Sequence, residues 1–127
     1  MNRLLTAGAL VLALSACTKT QAPQVVALDV LNVTVPQTTS SVEPLRVEVR
    51  AGNLDTCMGM DHRLTLVSRT AQALTLRAEA TRRFPALPCP AVYLEGTLSY
   101  TDPGTPARTN PFEVIVNGKS WGRVEVQ

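Results

Sequence analysis

The chain has 127 residues, of which 45% are hydrophobic and 4% aromatic, so it has the means for one modest core built from Val, Leu and Ala. Twelve Lys and Arg against ten Asp and Glu leave a net charge of +2 at pH 7. With no basic face interleaved with aromatics, nothing supports a nucleic-acid partner.

Residues 1–16 join a short charged start at Arg3, an apolar run from Leu4 to Leu14, and the small residues Ser15 and Ala16 ahead of Cys17. The run falls short of the ~20 residues that a bilayer-spanning helix needs, so the segment reads as a removed export signal. The tetrapeptide Leu14-Ser15-Ala16-Cys17 resembles the lipobox of bacterial lipoproteins. That resemblance implies that Cys17 carries the lipid, palmitate included, and becomes the new N-terminus. The alternative is an ordinary secretory signal with a chance cysteine. The expected location is the cell envelope, on the outer face of the cytoplasmic membrane or on the outer membrane. Thr18 rather than Asp after Cys17 resembles an outer-membrane address in a cell with two membranes. Losing residues 1–16 leaves 111 residues, and losing Arg3 leaves the exported form nearly neutral.

Residues 17–24 form a short polar tether with Pro23, and the domain is expected over 25–127. The β-branched segment Val25–Val35 predicts a strand, or a strand with a bulge, ended by Pro36. A Ser/Thr-rich turn follows. Leu45-Arg46-Val47-Glu48-Val49-Arg50 alternates cleanly, which places Leu45, Val47 and Val49 inward until Gly52 and Asn53 break the strand.

Three cysteines in an exported chain divide into one lipid anchor, Cys17, and one pair, so Cys57 and Cys89 are expected to be bridged in that oxidising compartment. A free thiol or a thiolate metal ligand is the alternative. The stretch Cys57-Met58-Gly59-Met60-Asp61-His62 also gathers ligands that soft Cu(I) prefers, with Met58, Met60 and His62 as candidate metal ligands. Against this, an oxidised Cys57 is not a ligand, and Met beside a disulfide serves as adaptable packing.

Leu64 and Leu66 share a parity with Leu74, Leu76, Ala78 and Ala80, which predicts a central hairpin with an odd-length loop around Thr70–Ala73 or a bulge. Arg63, Arg69, Arg77, Arg82 and Arg83 are expected on its outer face, either as an ordinary solvated surface or as an attraction for anionic lipid or cell-wall polymer. Ala91–Tyr100 reads as a strand with Val92, Leu94 and Leu98 inward and Gly96 as a bulge. Three prolines make Thr101–Pro111 a loop. Phe112–Val116 and Arg123–Val126 then flank Asn117-Gly118, the strongest hairpin signal in the chain. A plain turn there leaves Val124 and Val126 on the wrong face, so a bulge at Gly122 or a three-residue loop is expected.

No stretch has helical periodicity. The predicted fold class is all-β, an antiparallel β-sandwich of about seven strands, Ig-like, with one disulfide. The order of a strand ending in Gly52, Cys57, a polar hairpin, Cys89 in a Pro-rich loop, a strand and a closing Val116-Asn117-Gly118 hairpin resembles small exported bacterial β-sandwich domains of uncharacterised function. The resemblance covers most of residues 25–127. It departs in the longer loop before Phe112 and in the extra residues Lys119–Arg123, and it implies a fold without an activity.

For catalysis there is one histidine, His62, whose neighbour Asp61 points to the other side of a strand, and no Gly-x-Ser-x-Gly elbow or phosphate loop. The expectation is a non-enzyme without cofactor: an envelope-anchored binding module that contacts a protein or glycan. Its contact loop is expected at Asp102, Pro103, Gly104, Arg108 and Asn110. The second reading is a lipoprotein inhibitor of an exported hydrolase, a lysozyme or a protease, with a protruding loop as its plug. Trp121 reads as core or hairpin filler rather than a binding anchor.

Overall fold

The structure, a computed structural model, describes residues 23–54, 61–82 and 93–127. Among these, nine strands form two sheets and there is no helix. In chain order they are β1 (Gln24–Ala27), β2 (Asp29–Thr34), β3 (Thr38–Thr39), β4 (Leu45–Gly52), β5 (Asp61–Arg69), β6 (Ala73–Arg82), β7 (Glu95–Asp102), β8 (Phe112–Val116) and β9 (Lys119–Val126). The larger sheet runs β1-β6-β8-β9-β3 with β5 on the other side of β6, and the smaller runs β2-β4-β7.

Nine strands replace the expected seven for two local reasons. The Val25–Val35 segment is divided at Leu28, which is buried between the sheets while β1 joins one and β2 the other. The Ser/Thr-rich turn contributes the two-residue β3. The sandwich is also not wholly antiparallel. After β7 the chain returns to the start of β6, where Ala73 pairs with Glu113, so β8 runs parallel to β6, and β3 runs parallel to β9.

The alternation in β4 holds throughout: Leu45, Val47, Val49 and Ala51 are buried and face Leu74, Leu76, Ala78 and Ala80 of β6 and Phe112, Val114 and Val116 of β8. Phe112 is the largest fully buried side chain. With each buried aliphatic side chain contributing about 1.5–3 kcal/mol, this aliphatic layer is what holds the two sheets together. Trp121 packs partly buried against it with Lys119 Nζ 4.3 Å from its ring centre, as a filler of the hairpin.

Three bulges settle the registers, the first in β2, where Val30 pairs with Ala51 but Asn32 with Arg50, so Leu31 is the extra residue of the expected strand with a bulge. In the central hairpin Leu66 pairs with Leu76 but Ser68 with Thr75, so Val67 is the extra residue, and the tip is closed by Thr70, whose Oγ1 accepts from the amides of Gln72 and Ala73. In the closing hairpin Ile115 pairs with Ser120 but Glu113 with Arg123, so the extra residue falls at Trp121–Gly122, where Gly122 has φ 135°. Gly96 is not a bulge. Its register with β4 is unbroken from Leu45–Asp102 to Gly52–Glu95, and the space above it is taken by Leu54.

Along one side of β6 the partner changes from β8 to β1, and Asn117 fills the junction. Its side chain accepts from the Ala78 amide at 2.8 Å and donates to the carbonyls of Leu28 and Ala78 at 3.0 and 3.2 Å. A turn residue with φ 50° thereby completes a ladder that neither strand completes alone.

Candidate functional site

The polar residues that alternate into the core end of β7 form the most concentrated charged group among the described residues. Gly96, Leu98 and Tyr100 point inward, and the next residue of that parity is Asp102. Its side chain is 1% exposed. A carboxylate in that position requires compensation, and two guanidinium groups supply it. Arg69 donates from Nε at 2.7 Å and from Nη2 at 3.0 Å, and Arg108 donates from Nη2 at 2.6 Å.

Arg69 reaches Asp102 because of the Val67 bulge. The extra residue reverses the parity of the strand beyond it, so Arg69 pairs with the buried Leu74 and faces inward instead of lying on the basic outer face with Arg63 and Arg77. Its remaining donors reach the carbonyls of Thr70 and Pro106. Arg108 is drawn in from the loop and donates to the carbonyls of Ser40 and Glu43 at 2.9 and 2.7 Å. Both guanidinium carbons lie over the Phe112 ring, at 4.7 and 5.5 Å from its centre. Burial works to raise the Asp102 pKa, but hydrogen bonds from Arg69 and Arg108, with their charges, outweigh it and hold the carboxyl below its ordinary value.

This triad fastens the 103–111 loop to the rest of the sandwich. Arg108 N donates to Ser41 O, Thr109 N to Ala71 O and Asn110 Oδ1 accepts from Val126 N. Of the five residues expected to make contacts from this loop, Asp102, Gly104 and Arg108 are therefore internal, and Pro103 and Asn110 are at the surface. Gly104, at φ 89°, lies against the Val42 carbonyl, where a Cβ has no room. The physical reason for this burial is parity and charge: an inward aspartate needs an inward arginine, and the loop supplies it.

The other expected site residues are dispersed or lie outside the description. His62 is half buried on the inner face of β5, its Nε2 has no hydrogen-bond partner, and Asp61 is exposed on the opposite face. Cys17, Cys57, Cys89, Met58, Met60 and Arg83 lie outside the described residues. Among the described residues no group of three His, Cys, Asp or Glu side chains is placed to hold a metal ion. On the outer face of the larger sheet, Arg63 bridges to Glu79 at 3.3 Å and donates to Thr81, while Thr65 donates to the same Glu79 carboxylate at 2.8 Å. A cleft of about 400 Å³ opens beside Asn117, between Ala27 and Val67 and over Thr75 and Arg77.

Sequence reasoning missed the inward turn of Arg69 and the bracing role of Asn117. Asp102 shares the parity of Leu98 and Tyr100 and so signalled a buried cation, but the alternation of β5 sends Arg69 outward and did not name it. No family model, curated protein or solved structure matches the chain.

Proposed function

We propose that the chain is a lipid-anchored bacterial envelope protein whose β domain acts as a non-catalytic binding module. The observation that carries this reading is the Leu14-Ser15-Ala16-Cys17 sequence placed seven residues before the first strand at Gln24. Gln24 pairs with Arg82 at the end of β6, and Asp102 and the 103–111 loop lie at the other end, beside Arg69. The ten residues of β6 separate the two ends by about 33 Å at strand rise. A lipid at Cys17 therefore places the Gln24 end toward the membrane and presents the Asp102 end outward.

We propose further that the fold is an Ig-like sandwich closed by a Cys57–Cys89 bridge. The pairing of Asp61 with Thr81 supports it, because β5 starts beside the end of β6, four residues after Cys57 and eight before Cys89 in sequence. Asp102, the most buried carboxylate among the described residues, is committed to two arginines, and Asp61 and His62 face apart, which favours binding over acid–base chemistry.

The test is metabolic labelling with radioactive palmitate, followed by membrane fractionation with an alkaline wash. Wild type is expected to be labelled and retained, and Cys17→Ser to be unlabelled and to leave the membrane as released protein or accumulate as precursor. A Cys17→Ser chain that stays quantitatively membrane-bound after the wash overturns the anchor.

A further inference from the structure

The outer face of the three-stranded sheet holds one aromatic side chain in an otherwise polar setting. Register aligns Asp29, Gly52 and Glu95 in one row across β2, β4 and β7, and Asn32, Arg50 and Thr97 in the next. Apart from Gly52, these residues are exposed. Tyr93, two residues ahead of β7, reaches back over the first row. Its phenol lies on Gly52, where a Cβ would overlap Oη and Cζ, with the Asp29 and Glu95 carboxylates beside it. Arg50 pairs with Glu95 alongside.

Gly52 is the last residue of β4 and has no positive φ of its own, the turn falling at Asn53, so the absence of a side chain there has a local use: it seats the tyrosine. Partial desolvation against Gly52, followed by the charges of Asp29 and Glu95, raises the phenol pKa. Tyr93 as a whole stays 54% exposed. One end of the ring is seated on Gly52 while more than half of the side chain stays exposed, which is the arrangement of a preorganised stacking surface.

We propose that the Tyr93 row is a saccharide subsite, in which the ring stacks on the C–H face of a pyranose in the cell-wall glycan and Asp29, Glu95 and Asn32 take its hydroxyl hydrogen bonds. The inference rests on the binding-module reading and names its partner. Pyranose C–H groups are weakly positive and meet the negative face of an aromatic ring, while sugar hydroxyls donate to carboxylates. The same two carboxylates repel a phosphate backbone, and the Thr, Asn and Arg neighbours give an apolar peptide nothing to bury against. A neutral, polyhydroxylated ring fits both halves of the row.

The test is co-sedimentation of the full-length protein with purified peptidoglycan sacculi, with and without the tetramer of N-acetylglucosamine as competitor. Wild type is expected to sediment and to be released by the tetramer. Tyr93→Ala is expected to lose roughly tenfold in affinity, as for an aromatic anchor. Gly52→Ala, which keeps every polar group but evicts the phenol, is expected to lose affinity too. Tyr93→Ala sedimenting like wild type, Gly52→Ala doing so, wild type resisting the competitor, or no sedimentation of wild type each overturns the subsite. Acylation of Cys17 is read in the same preparation: an acylated chain that ignores sacculi sinks the subsite alone, and a sacculus-binding chain without acyl label sinks the anchor alone.

Discussion

At Asp102, a carboxylate with 1% of its side chain exposed is shared by two guanidinium groups, so removing its charge leaves two cations facing each other over Phe112. Asp102→Asn keeps the shape and loses the charge, and it is expected to destabilise the domain by about 3–5 kcal/mol, the range for breaking a buried ion pair from one side. Urea unfolding at neutral pH checks this. The same residue sets a pH dependence. Its folded pKa lies below the ordinary value, so the unfolded chain binds a proton first as pH falls. The stabilisation is complete above the unfolded carboxylate pKa of about 4 and is lost as pH drops from there through the depressed folded value. Wild type is expected to lose stability steeply below about pH 4, and Asp102→Asn to show a shallower slope there; parallel slopes would refute the assignment. The aspartate itself was legible, since it continues the inward parity of Leu98 and Tyr100, but its partners were not. Arg69 sits at an odd position that alternation sends outward, and Arg108 lies in a loop with no periodicity to read.

Strands carry the next level of control, and their bulges decide which residues can meet. The Val67 bulge turns Arg69 inward, and the bulge at Trp121–Gly122 returns Val124 to the core opposite Phe112. Gly122 makes the second possible through φ 135°, a backbone state that side chains other than glycine rarely adopt. A Cβ there meets nothing within 4 Å, so the cost of Gly122→Ala is conformational and not steric. The expected loss is about 1–3 kcal/mol, read as a lower urea midpoint with an unchanged m-value; a variant as stable as wild type would show that β9 tolerates another register. Parity arithmetic made both bulges legible, because the hydrophobic residues on facing arms could match only with an odd residue inserted. The division at Leu28 between two sheets was not legible, since Val25–Val35 stays β-branched across it and composition does not record which sheet a strand joins. Nor was the parallel course of β8, which depends on where a proline-rich loop sets the chain down. The Tyr93 row was equally hidden, as it unites three strands distant in sequence.

For the whole molecule the open question of stability is the staple. The described core is aliphatic with a single buried Phe, and a domain of this size has a net stability of only about 5–15 kcal/mol. Cys57 and Cys89 are 32 positions apart, and closing a loop of that length removes unfolded-state entropy worth about 3–4 kcal/mol. Topology favours the closure. β5 and β6 are paired at Asp61 and Thr81, and β4 and β7 at Gly52 and Glu95, so the two connections that carry the cysteines start and finish at neighbouring strand ends. Thr81 also pairs with Val25, so this end of β6 is the Gln24 end. Cys57→Ala is therefore expected to lower stability by about 2–5 kcal/mol. The bridge itself is counted by intact mass after thiol alkylation under denaturing conditions, first without reductant and then with it. A bridged protein takes up no label at Cys57 or Cys89 until it is reduced and two labels afterwards. Two labels without reductant would refute the bridge and return both thiols, with Met58, Met60 and His62, to the soft-metal reading, which a Cu(I) titration against a competing chelator then decides.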